Sequence, residues 1–325
     1  MKSRNRFYFG MLIAVVLTVI IWASYGMLNV GREEESYSVS VIVENSSSDR
    51  WTSLRQGLEQ AARDYNIDLN YVSTGSFRNF DEECDAIDRE LGNGAQGVIV
   101  QMVTSESGEE IDRVSTQASV VLLETDVKPE DLYTLVGPDN AGMGEAVAGA
   151  VKEDFGATLS GKRIGILSGN QKQIAMQQRL AGVSENLENA GAVIAWSIEG
   201  TSDGSKEMFY QKVQQEPVDI LIALGNDELE FLVDYVSMQT EQPEDCLLYG
   251  IGGSEKTVYY LDKGVIGALV VPNEFNMGYL SMETIAKQLI YHMGESGSSR
   301  VDYLVVNRTN LYDEDNQKVL FPIVQ

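Results

Sequence analysis

The side chains in this sequence best suited to chemistry are suited to holding a polar molecule. Trp51 offers a flat indole face with one polar edge. Its neighbour Arg50 carries a planar fork of N–H donors. Glu124 can accept hydrogen bonds from two hydroxyls or from an ammonium group. Plainer readings stand beside these: Asp49 would cap the helix that follows, Trp51 would cover its first turn, and Glu124 would bond only loop amides. Parts for bond-breaking chemistry are scarce. The one histidine, His292, falls late in a long predicted helix without a His or Cys partner, and reads as a helix-terminal cation. No P-loop lysine pattern or nucleophile elbow is present, and Gly250-Ile-Gly-Gly is too short and too late for a dinucleotide fingerprint. An enzyme would need a carboxylate pair, and nothing locates one. Cys84 and Cys246 are isolated thiols, which make neither a disulfide framework nor a metal site.

Strands and helices must position these residues, and their hydrophobic periods alternate along the chain. Strands are predicted over 37–43, 67–72, 97–101 and 120–123, with helices over 51–65, 79–91 and 107–117 between them. After Asp139 the alternation starts again. Helices 140–155, 173–190, 206–215, 227–238, 255–261 and 273–292 interleave with strands 163–167, 192–198, 218–224, 246–251 and 265–271. This order predicts an α/β fold of two doubly wound parallel-sheet lobes with right-handed crossovers. Ligands of open α/β sheets sit beyond the carboxyl ends of strands, so the residues just after each strand are the site candidates.

The joint between the halves is Pro138-Asp139-Asn140: a short apolar strand ends in proline, and Asp139 stands where it would cap a helix of small residues. With strand–helix alternation on both sides, the chain from about residue 37 to 325 resembles the type I periplasmic binding proteins, in particular their ribose-binding and LacI-like members. The resemblance implies two lobes joined by a three-strand hinge, with crossings near Pro138, Pro272 and Val305. The first lobe would hold 37–138 plus 273–305, and the second 139–272 plus 306–325. It also implies ligand contacts. Ser48, Arg50 and Trp51 stand where sugar-binding relatives carry an Asn and stacking aromatics, and Gln101 follows the third strand. Glu124-Thr125 stands where ribose-type relatives place an Asp-Arg pair, and Asp139 or Asn140 would reach the ligand from the joint. Gln177 stands where an Arg often reaches the ligand, with Arg179 a half-turn on. Asn226-Asp227 matches the family's Asn-Asp. Gly252 replaces a ligand-binding Asp, and Pro272 a polar hinge residue. Each lost charge-assisted bond costs roughly 1.5–3 kcal/mol, so ribose itself is expected to bind poorly. A modified or larger sugar, or another polar metabolite, is expected instead.

The function so implied is that of an extracytoplasmic solute-binding protein for an ABC-type importer, without cofactor, metal or catalysis, and monomeric. A ligand-sensing receptor for a membrane histidine kinase or chemoreceptor is the alternative, and a surface hydrolase or isomerase on the same fold a third. With 24 Lys and Arg against 49 Asp and Glu, the net charge of −25 disfavours nucleic acid as a partner. A repressor would also need a helix-turn-helix at the N-terminus. Residues 7–30 there contain no charge; Lys2, Arg4 and Arg6 precede them and Glu33, Glu34 and Glu35 follow. That pattern predicts a single anchor with the bulk of the chain outside the cytoplasm, or else a cleaved signal peptide.

Overall fold

The structure is a computed structural model of the 325-residue chain, and it describes residues 11, 15–20, 22, 36–130, 132–238, 247–292 and 297–321. The chain divides into two units, Met1–Tyr37 and Ser38–Gln325. In the first unit, residues 15–20 are helical and their large apolar side chains are exposed. Among the described residues no helix is long and apolar enough to cross a membrane. The expected anchor at 7–30 lies largely outside the described residues, and so does Cys246.

The second unit contains two six-stranded sheets. The first is built from β1 (Tyr37–Ile42), β2 (Ile67–Tyr71), β3 (Gly97–Val100), β4 (Ser119–Leu123) and β5 (Leu135–Pro138), with helices α1 (Thr52–Asp64), α2 (Phe80–Gly92) and α3 (Gly108–Ser115) between them. After α4 (Asn140–Phe155), the second sheet takes β6 (Arg163–Leu167), β7 (Val193–Ile198), β8 (Ile220–Ala223), β9 (Leu247–Ile251) and β10 (Ile266–Pro272). Its intervening helices are α5 (Ile174–Asn189), α6 (Asp203–Gln215), α7 (Asn226–Met238) and α8 (Glu255–Asp262). The chain closes with α9 (Glu274–Tyr291), β11 (Ser299–Val301), β12 (Tyr303–Asn307) and α10 (Glu314–Leu320). The order in the first sheet is β11-β5-β4-β3-β1-β2, and in the second β12-β10-β9-β8-β6-β7. In the second sheet β12 runs antiparallel to β10, while β10, β9, β8, β6 and β7 pair in parallel. Central strands such as β3 and β8 are buried along their whole length, as a sheet covered on both faces requires.

The chain passes between the sheets three times. β5 ends at Pro138 in the first sheet, and α4 then packs on the second. β10 ends at Pro272 in the second sheet, and α9 returns to pack on α1 and β4. The third passage falls at Asp302, between Val301 of β11 and Tyr303 of β12, slightly ahead of the expected Val305. The Asn273 amide donates to the Asp302 carbonyl at 3.0 Å, which ties the second passage to the third. The short strand β11 and the helix α10 carried no clear period in the sequence.

Each lobe is braced by one helix pair that meets at glycine. A Cβ on Gly278 of α9 would lie 2.1 Å from the Leu54 carbonyl oxygen of α1, and one on Gly144 of α4 would lie 2.3 Å from the Arg179 carbonyl oxygen of α5. Contact so close leaves no room for any side chain, because protein interiors are packed near crystal density. Gly278→Val is therefore expected to force α9 off α1 and cost about 1–3 kcal/mol or more. Thermal unfolding followed by circular dichroism checks it: an unchanged melting temperature would contradict the packing.

Candidate ligand-binding cleft

Glu124 follows β4 and is 2% exposed. Its backbone sits at φ 65°, a conformation that non-glycine residues seldom adopt. One carboxylate oxygen accepts from Arg179 Nη2 at 2.6 Å; the other accepts from Arg50 Nη2 and from Gln101 Nε2. Asn140 completes the group: its Nδ2 donates to the Glu124 carbonyl at 3.1 Å, and its Oδ1 accepts from Arg179 Nε at 2.8 Å. Arg179 Nη1 also donates to the Leu224 carbonyl at 3.0 Å. Glu124, Arg50 and Gln101 belong to the first lobe and Arg179 to the second, so this is an ion bridge across the cleft. Further polar links between the lobes extend it. Ser105 Oγ accepts from the Ile174 amide at 2.9 Å, Asn170 Nδ2 donates to the Val103 carbonyl at 2.9 Å, and Gln173 Nε2 to the Met102 carbonyl at 2.8 Å. Thr125 Oγ1 accepts from the Ala175 amide at 3.3 Å.

Beside the bridge lies a cavity of about 360 Å³ lined by both lobes, within the range of small-molecule sites. Ser48, Arg50, Trp51 and Gln101 line it from the first lobe. The Arg50 guanidinium carbon stands 4.2 Å from the Trp51 ring centroid, so a cation covers the face available for stacking. Trp51 itself is 1% exposed and donates through Nε1 to the Glu44 carbonyl at 3.1 Å. Glu124, Asp139 and Asn140 border a second cavity of about 570 Å³ near the hinge. Asp139 caps α4 by accepting from the Gly142 amide at 3.0 Å, and also accepts from Arg300 Nη1 at 3.0 Å. Asn226 and Pro272 line a small space of about 40 Å³ on the other side of Arg50.

Gln177, Asn226 and Gly252 stand apart from the 360 Å³ cavity. Gln177 is exposed and donates to the Gln171 carbonyl at 2.7 Å; Arg179, half a turn further on, is the residue that enters the cleft. Asn226 Nδ2 donates to Glu230 at 3.0 Å, and its Oδ1 accepts from the Ser254 amide at 3.4 Å. Gly252 has φ 151°, and a Cβ there would come 2.8 Å from Asn226 Oδ1. The backbone thus excludes an aspartate at this position.

In and around the cleft lie further buried carboxylates that were not expected from the sequence. Burial pushes Glu228 of α7 up to about 7, and the neighbouring charge of Asp227 adds to this. Burial likewise pushes Glu274, the first residue of α9, up to about 7 against the pull of Arg50. Burial raises Glu83 to about 8, only partly offset by its hydrogen bonds from the Val103 amide. Glu44 is raised by burial and, across the cleft, by Asp227. Glu124 goes the other way: burial would raise it, but Arg50 and Arg179 together hold it below the usual carboxylate range. Burial presses Arg179 down, while Arg50 is held charged by Glu124 and Glu274 in spite of its own burial. Outside the cleft, burial takes the half-buried Cys84 thiol up to about 12, which makes it a poor nucleophile.

The family model described as periplasmic binding protein domain matches residues 39–293, and the chain belongs to that family. No curated protein sequence gives a significant match. Among solved structures, a glucose-galactose binding protein from Geobacillus stearothermophilus is similar, with 22% identity, a TM-score of 0.75, and coverage of 86% of this chain and 99% of that one. A carbohydrate transporter solute-binding protein from Agrobacterium radiobacter, in complex with D-arabinose, has 13% identity, a TM-score of 0.78, and coverage of 88% and 99%. A Caulobacter myo-inositol binding protein bound to myo-inositol has 17% identity, a TM-score of 0.74, and coverage of 88% and 98%. These likenesses establish the type I periplasmic binding protein fold, with two α/β lobes.

The raised carboxylates set a pH dependence. A buried acid whose folded value exceeds its unfolded one binds more protons when folded, so stability falls as pH rises between the two values. For Glu228 and Glu274 that window runs from the ordinary 4.5 to about 7, and for Glu83 to about 8. Urea unfolding is expected to show lower stability at pH 7.5 than at pH 5.5, with the difference reduced in Glu274→Gln. An unchanged slope in that variant would show that Glu274 does not contribute.

Proposed function

We propose that this protein captures a small polyhydroxylated ligand, a carbohydrate, in the cavity between its lobes and presents it outside the cytoplasm to an ABC-type importer. It acts by binding, as a monomer, and residues 7–30 anchor it to the membrane. The observation that carries the reading is the 360 Å³ interlobe cavity, where Ser48 and Gln101 of one lobe face Asn170 and Gln173 of the other. Such side chains match hydroxyls as both donors and acceptors. Enclosure between two lobes turns each of these hydrogen bonds into a reason for the lobes to stay together. The periplasmic binding protein domain over 39–293 supports the same reading.

The bridge adds a restriction on the ligand. Glu124 already takes hydrogen bonds from Arg50, Arg179 and Gln101, so it has little capacity left for sugar hydroxyls. Pentoses held mainly through this carboxylate should bind poorly. A thermal-shift screen of pentoses, hexoses and inositols tests the reading. A binding sugar at a hundred times its dissociation constant should add about 2.7 kcal/mol of stability. Gln101→Ala and Asn170→Ala should each weaken it, by roughly three- to tenfold. No response to any sugar would overturn the carbohydrate assignment, and tight ribose binding would overturn the role given to Glu124.

The anchor has its own test. The protein should stay with membranes after a high-salt wash and begin near Met1. A soluble form beginning near Met27 would mean that the N-terminal segment is a cleaved signal.

A further inference from the structure

Three carboxylates line the interlobe cavity: Glu44 from the first lobe, Asp227 and Glu228 from the second. The cation among the lining residues is Arg50, whose guanidinium is committed to Glu124 and to the face of Trp51. Glu44 uses one oxygen to accept from the Phe77 amide at 3.0 Å. Glu228 is the most telling of the three. It is 92% buried (8% exposed), and its carboxylate lies against Gly225 and Gly169, both of which line the same cavity. Among the described residues its one hydrogen-bond donor is its own backbone amide, while the charges of Arg50 and Arg179 act on it without a hydrogen bond. A carboxylate enclosed at a cavity wall without a donor from another residue has a hydrogen-bonding demand that an occupant would meet.

The lobes set these groups against one another. Glu44 and Asp227 sit on opposite sides of the cleft and close enough for the charge of one to raise the other's proton affinity. The charge of Arg50, which acts on all three carboxylates, offsets part of this repulsion, but Arg50 is also paired with Glu124, and the cavity lining keeps an excess of negative charge. A neutral sugar would leave that excess in place, whereas an ammonium group would offset it and donate to Glu228 as well.

We propose that the occupant of this cavity is a hydroxylated ligand bearing a free amine, of the amino-sugar or aminocyclitol class, with its ammonium group held between Glu44 and the Asp227–Glu228 pair. The hydroxyls are then read by Ser48, Gln101, Asn170 and Gln173. This rests on the carbohydrate reading above and narrows it.

Isothermal titration of the full chain with matched pairs provides the test: D-glucosamine against D-glucose, D-galactosamine against D-galactose, D-mannosamine against D-mannose, and an aminoinositol against myo-inositol. At least one amine should bind roughly tenfold or more tightly than its neutral partner, and its N-acetyl derivative should lose that advantage. Glu44→Gln and Asp227→Asn should each reduce amine affinity by roughly tenfold and the neutral partner's affinity by clearly less. Glu228→Gln, measured in the same way, keeps the result readable if one of those variants fails to fold. Neutral sugars binding as tightly as their amines would overturn the amine assignment and leave the carbohydrate reading standing, and so would equal losses for both in the variants. Binding by no member of the panel would overturn both.

Discussion

The Glu124 carboxylate, closed between Arg50 and Arg179, is the constraint around which the two lobes are arranged. Three charged groups at least largely removed from water would each be costly alone, and the cost is met only because nearly every donor and acceptor has a partner. Removing one member of such a group typically costs 3–5 kcal/mol, since the remaining charge is left buried and uncompensated. The strained backbone at Glu124 fits this account. A residue at φ 65° persists where its surroundings determine its position several times over. Here the Glu124 amide donates to Val136, its carbonyl accepts from Asn140, and its side chain meets two guanidinium groups.

The rest of the architecture serves this arrangement. Arg179 reaches the cleft because α5 lies directly on α4 at Gly144, which places the Arg179 backbone at a fixed depth. Arg50 reaches it from a single helical turn, Asp49–Trp51, with the indole beneath as a platform. Asn140, the first residue of α4, bonds both Glu124 and Arg179. The strand-end cleft of an open α/β sheet is thus divided by the protein's own side chains. On the Trp51 side this leaves a cavity walled by carboxylates and amides, and near the hinge a second one bordered by Glu124, Asp139 and Arg300.

Much of the fold was legible because long buried strands and helices leave strong periods. The predicted bounds 140–155 and 163–167 coincide with α4 and β6, and the restart after Asp139 is the boundary between the sheets. The short strand β11 and the helix α10 were not legible, being too brief to show a period. The site was less legible than the fold, and α5 shows why. Gln177 was assigned by the resemblance, as standing where an Arg often reaches the ligand, but the phase of the helix decides which side chain turns inward. Ala175, Met176, Arg179, Gly182 and Val183 form its buried stripe, and Gln177 lies off it. A lone arginine within an apolar stripe is the sequence signal that would have identified Arg179. Glu228 carries the same signal among Leu229, Leu232 and Val233 in α7.

Pro272 gains its meaning from the comparison of two joints. In Pro138-Asp139-Asn140 and Pro272-Asn273-Glu274, a proline ends a strand, an Asx side chain caps the next helix, and the first helical residue faces the arginines. Asp139 accepts from the Gly142 amide at 3.0 Å and Asn273 from the Asn276 amide at 3.0 Å. The backbones agree as well, with ψ 91° at Asp139 and ψ 81° at Asn273. Proline fixes φ on the strand side, and the helix fixes both angles beyond the cap. That leaves the Asx residue as the place where each joint can turn. The third passage joins the pair. Val301 lies opposite Pro138 and Tyr303 opposite Pro272, with Asp302 between them accepting from the Asn273 amide. The three passages therefore share a few neighbouring residues, and any turn of one lobe on the other would be taken up there, next to Asn140 and the Glu124 bridge that it bonds.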